Sequence, residues 1–149
     1  MTTKEEIYKQ CIKIVDKRFN NIQNNIQDIQ NNLLSETKSS AGDKHETGRA
    51  MLQLEREKAG VQLSEINKLR RAVNKINIEN KPKQVSIGSL VYTSKSNYFI
   101  AVSLGLIEIK EKSFYAISAQ TPIGQLLMGK TIGENIEFNG NKFIIEKLE

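Results

Sequence analysis

Eight apolar residues recur along the N-terminal arm at alternating spacings of four and three: Tyr8, Ile12, Val15, Phe19, Ile22, Ile26, Ile29 and Leu33. A 3.5-residue period keeps one apolar stripe turned toward a partner helix, so this is the seam of a coiled coil. A second, less regular stripe follows: Leu52, Ala59, Leu63, Ile66, Leu69, Val73 and Ile76. Between the two lies a short polar stretch, Ser35 to Gly42, whose only apolar residue is Ala41. The simplest partner for the first arm is therefore the second, folded back antiparallel over a short connection. The expected arms run from about Thr3 to Glu36 and from about Lys44 to Asn77, each on the order of 45–50 Å long at 1.5 Å rise per residue. The run from Asn20 to Asn32 is rich in Asn and Gln, yet isoleucine recurs inside it at helical spacing. It reads as a polar helix face held by packing, since Asn and Asp are mediocre helix formers.

Charge marks the returning arm. Residues 44–83 hold ten Lys and Arg against five acidic residues, and so carry the whole net charge of +5. Such a flank draws polyanions toward it, or is simply a solvated helix face. Cys11 is the single cysteine, which excludes a disulfide framework and fits a reducing cytoplasm. It lies beside the seam and reads as a packed thiol. The N-terminus lacks the grammar of a secretory signal, and no window approaches a membrane span.

Asn80-Lys81-Pro82-Lys83 ends the helical part, because proline removes a donor and disfavours helix before it. Beyond it the period shortens. Val85–Thr93, Tyr98–Val102, Leu106–Ile109 and Phe114–Ile117 are short, β-branched and aromatic, and read as strands. Thr121-Pro122 through Gly129 reads as one short helix, with Thr121 at the N-cap, Pro122 first inside and Gly129 at C′. Asn139-Gly140 predicts a hairpin between Asn135–Phe138 and Lys142–Leu148. The fold expected is α+β: an antiparallel coiled-coil hairpin over 1–80, then a small antiparallel sheet domain with one short helix over 84–149.

The connection between the arms carries Gly42-Asp43-Lys44-His45-Glu46. Asp43 and Glu46, three apart at a helix start, have the spacing of a capping box. They also have the chemistry to hold a hard divalent cation, since Mg2+ commonly takes one or two protein carboxylates and completes its octahedron with other oxygens. Two carboxylates are too few for a tight autonomous site, but they can complete one built partly by another macromolecule. The readings are compatible, because a cap on Asp43 would fix the turn that displays Glu46. His45 between them is a spacer or a proton-transfer group. No Cys/His cluster points to zinc, no glycine-rich phosphate loop follows a strand, and no nucleophile–base set stands out.

Hairpin, acidic connection, basic flank and small β-rich domain together make the chain resemble the Gre-type bacterial transcript cleavage factors, the GreA/GreB family, along essentially its whole extent. Two motifs carry the resemblance. Ala41-Gly42-Asp43-Lys44-His45-Glu46 is similar to that family's Gly-Asp-x-x-Glu tip. Ile117 through Glu134, with Ser118, Thr121-Pro122-Ile123-Gly124, Leu126-Leu127 and Gly129-Lys130 followed by Gly133-Glu134, is similar to its longer C-terminal signature. The resemblance implies an FKBP-like C-terminal fold docked at the rim of the RNA polymerase secondary channel. It implies a coiled coil reaching through that channel, where Asp43 and Glu46 would help hold a Mg2+ shared with the polymerase and promote hydrolysis of backtracked RNA. Lys44, His45, Arg49 and Arg56 would contact polymerase or nucleic acid. The chain would be no enzyme by itself but a monomeric, cytoplasmic cofactor acting on the elongation complex and the nascent RNA 3′ end.

The family continues its tip with Ser-Glu-Asn and a nearby Tyr, whereas here His45-Glu46-Thr47-Gly48-Arg49 follows. A non-cleaving secondary-channel regulator of initiation or pausing is therefore the alternative. Two further classes are a prolyl isomerase, disfavoured because several aromatics of the sheet domain are needed for its core, and a structural coiled-coil adaptor.

Overall fold

The computed structural model describes the backbone of residues 1–38 and 42–149, and the side chains of residues 1–36 and 46–149. Two long helices, α1 (Thr3–Lys38) and α2 (Gly42–Asn74), precede β1 (Leu90–Thr93), β2 (Asn97–Ala101), β3 (Gly105–Ile109), β4 (Lys112–Ser118), α3 (Pro122–Leu127), β5 (Asn135–Phe138) and β6 (Asn141–Leu148). The expected class, a helical hairpin followed by a small sheet with one short helix, is the one observed. Two compact units result: Met1–Ile14 together with Arg71–Glu149, and Val15–Arg70.

α1 opens with a capping box. The Thr2 hydroxyl accepts from the Glu5 amide, and the Glu5 carboxylate accepts from the Thr2 amide, both at 3.1 Å. None of the eight seam residues of α1 is exposed, and neither is any member of the second stripe. α2 stops at Asn74, about a turn before the expected boundary near Asn77. The reason is a tertiary contact. The Tyr8 hydroxyl donates to the Val73 carbonyl at 2.8 Å, and that carbonyl also takes the Ile76 amide in a tightened turn at 3.2 Å. The acceptor that a continuing helix needs is thereby occupied.

In the first unit the six strands are ordered β3-β4-β2-β1-β6-β5. Neighbours run antiparallel except β2 and β4, which pair in parallel from Asn97 against Phe114 to Ala101 against Ser118. The sequence pattern predicts an antiparallel sheet throughout. The difference arises because the β3–β4 hairpin folds outward past β2, so that β4 returns alongside β2 in the same direction. Residues alternate between faces along each strand. Leu90, Phe99, Ile107, Phe114 and Ala116 form one buried cluster with Ile7 and Cys11 of α1. Val91, Ile100, Ile136, Phe143 and Ile145 form the other with Leu127 of α3. Phe99, Phe114 and Phe143 are thus core residues, as the sequence required of its aromatics.

The stretch read as a strand from Val85 extends only over Leu90–Thr93. Gly88 has φ +93° and lies so close to the chain leaving α2 that a Cβ there would sit 2.6 Å from the Asn77 carbonyl oxygen. A residue in that conformation leaves the strand, and only glycine fits the approach. The short helix α3 follows the expected chemistry: Thr121 accepts the Gly124 amide at 3.1 Å and Pro122 occupies the first turn. Asn139 (φ +52°) and Gly140 (φ +78°) make the predicted β5–β6 turn. Lys110 (φ +49°) and Glu111 (φ +67°) form an equivalent β3–β4 turn with neither Asn nor Gly. Among the described residues, no helix is long and apolar enough to cross a membrane.

Candidate functional site on the helical hairpin

The second unit is built on antiparallel pairing of α1 and α2, visible in partners whose numbers fall on one helix as they rise on the other. Asp16 lies 3.4 Å from the Arg70 Nε. The Arg70 guanidinium carbon stands 3.9 Å from the centre of the Phe19 ring. That stacking places the cation on an aromatic face, and the Nε contact with Asp16 is an ion pair without hydrogen-bond alignment. Further along, Ile26 and Ile29 are buried with Ala59, flanked by Ile22, Leu33 and Leu63. Arg49 donates to the Leu33 carbonyl at 3.4 Å. Last in this series, the Glu36 carboxylate lies 3.5 Å from where a Gly48 side chain would begin.

These pairings bring the first turns of α2 beside the last described turns of α1. Glu46 belongs to those turns, and its side chain is exposed. Thr47 beside it is exposed as well. Asp43, Lys44 and His45 belong to the same connection, but their side chains lie outside the described residues, and with them the proposed capping box and the pairing of Asp43 with Glu46.

Of the remaining expected contact residues, Arg49 is half-buried and bonded back to α1. Arg56 is half-buried along α2, with a guanidinium nitrogen 3.2 Å from where a Gly60 side chain would begin. Lys58 and Lys68 on α2 are exposed or nearly so along the helix, whereas Arg70 is drawn into the Asp16–Phe19 arrangement. Sequence reasoning missed Glu36. It sits at the end of arm one with no motif around it, and the only hint is Gly48, a residue without a side chain early in the returning helix.

Among the described residues, no three His, Cys, Asp or Glu side chains gather as a metal ligand set. A cation held through Glu46 would therefore draw most of its ligands from Asp43, water or another macromolecule.

No family model and no curated protein matches the chain. A solved structure entitled "Structure of the transcription factor Gfh1" is similar to it over 91% of this chain and 89% of its own, at 13% identity and a TM-score of 0.38. Likeness at that level assigns neither family nor function.

Proposed function

We propose that this protein is a transcription factor that enters the secondary channel of bacterial RNA polymerase. There it stimulates hydrolytic cleavage of backtracked RNA by presenting Asp43 and Glu46 to the active-site Mg2+. One observation carries the reading: antiparallel pairing through Arg49–Leu33 and Gly48–Glu36 leaves Glu46 exposed in the first turns of α2, in the segment that resembles the family's acidic tip. The exposed basic side chains of α2 support it, since they favour approach to a polyanion. The capped helix Thr121–Leu127 supports it too, because the longer signature folds as a compact strand–turn–helix.

In this reading the polymerase supplies the main catalytic aspartates. Mg2+, when bound, polarises the scissile phosphate and lowers the pKa of the attacking water. Glu46 and Asp43 would supply oxygen ligands to that ion and orient its water. Arg49 holds α2 to α1 at the neighbouring turn, which keeps Glu46 in place. The chain then acts as a cofactor to the polymerase rather than as a nuclease.

The test is RNA release from a stalled, backtracked elongation complex. Glu46→Ala and Asp43→Ala should each slow 3′ cleavage by about a hundredfold while polymerase binding persists. Undiminished cleavage in both variants rejects the catalytic role. The alternative, a channel regulator that does not cleave, is favoured by Thr47 and Gly48 standing where the family continues differently. It predicts polymerase binding with no RNA release even from the unaltered protein at high Mg2+.

A further inference from the structure

The first unit contains a cleft of about 600 Å3 that the hairpin reading does not use. Thr2–Glu5 at the start of α1, Ile78–Pro82 after α2, and Leu148–Glu149 at the end of β6 line it. Its volume lies in the range of small-molecule sites. Its most unusual member is Lys4, a lysine only 6% exposed. The Lys4 ammonium donates to the Asn80 carbonyl at 3.2 Å. An ammonium has three donors, and no carboxylate among the described residues forms an ion pair with this one. Burial lowers its pKa, and the more distant Glu149 carboxylate offsets only part of that. A buried cation with one neutral partner is costly to keep, and an anion placed against it recovers much of that cost.

The other charges narrow the choice of anion. Glu5 is engaged by the Thr2 amide. Glu149 is paired with Lys147 at 2.8 Å. Glu79 and Lys81 are exposed at the rim. Three carboxylates around the cleft disfavour a dianion such as phosphate more than a singly charged anion. Ile78, Pro82 and Leu148 supply apolar wall beside the ammonium.

We propose that this cleft binds a small monocarboxylate with an apolar body, its carboxylate hydrogen-bonded to Lys4 Nζ and its tail against Ile78, Pro82 and Leu148. The site is independent of the hairpin and of the polymerase reading. Titration of the full chain with hexanoate, followed by amide NMR, tests it. Saturable shifts should centre on Thr3, Lys4, Ile78 and Lys81. Hexanamide, which keeps the shape and loses the charge, should bind roughly ten- to a hundredfold more weakly. Lys4→Met should abolish the preference for the acid while the amide spectrum stays dispersed. Equal binding of acid and amide by the unaltered protein overturns the proposal, as does the absence of saturable shifts at those residues. Because the acid–amide comparison uses the unaltered chain, it decides the matter even if Lys4→Met fails to fold.

Discussion

The sheet unit and the hairpin unit are stabilised in different ways. The first has a two-sided core, with Phe99, Phe114, Leu90, Ile100, Leu127 and Ile145 all at 0% exposure. The second has a narrower seam, in which Ile26, Ile29 and Ala59 form one buried cluster with half-covered neighbours and Val15 and Ile66 are buried as well. Hydrophobic stabilisation scales with the area removed from water. The sheet unit therefore holds its conformation through a broad core, while the hairpin depends on burial along a narrower seam, supplemented by a few side-chain pairings. The candidate functional residues belong to the less deeply packed unit. Regions that engage partners are commonly drawn from the low-stability end of a structure.

Deleting core volume breaks this contrast most directly. Phe99→Ala should cost about 3–5 kcal/mol. Ile29→Ala should cost about 2–3 kcal/mol, because the narrow seam next to Ala59 can close partly over the gap. Chemical denaturation of the two variants measures both. A larger loss at Ile29 would reverse the ranking of the units.

Cys11 offers a probe of the sheet unit alone. Burial pushes its thiol up from 9.0 to about 12. The unfolded chain releases this proton first as pH rises, so the stability held by the neutral thiol is fully present below pH 9.0 and is lost progressively toward about 12. The thiol should also react with a thiol reagent at neutral pH only as fast as the sheet unit opens. Labelling rates compared in the native protein and in Phe99→Ala check this; equal rates would mean that Cys11 is reached without opening that core.

The smallest effect sharpens the hairpin side. A Cβ at Gly48 would meet the Glu36 carboxylate at an ordinary contact distance of 3.5 Å. Gly48→Ala should therefore stabilise the hairpin by about 1 kcal/mol through helix propensity. A loss of stability instead, read from thermal unfolding, would show that Glu36 needs the open space above Gly48.

Much of this was legible in the chain. The alternation from Val15 to Leu33 identified the inward apolar residues of that part of α1, because a helical face is a property of spacing alone. Thr121-Pro122 and Asn139-Gly140 specified their turns because the local backbone admits few residues there. Other features had no such signature. The Lys110–Glu111 turn uses residues that disfavour positive φ, and only the closure of β3 on β4 requires it. Ile7 and Cys11 lie beside the α1 seam in the heptad pattern, yet they belong to the core of the sheet. Glu36 meets Gly48, and Lys4 meets Asn80, across chain separations that no local motif spans.

By itself, then, the amino-acid order determined the periodic and turn-borne parts of this molecule: two amphipathic helices, a series of short strands, a capped helix, and an acidic connection beside a basic flank. Tertiary structure alone decided that β2 and β4 run in parallel, that α2 stops where Tyr8 takes its carbonyl, and that Lys4 is buried. Periodicity and turn preference act between residues a few positions apart, where the chain's own geometry sets the contact. Burial of a lysine and the direction of a strand depend on which distant segments come to lie alongside, and that is resolved only when the whole core packs.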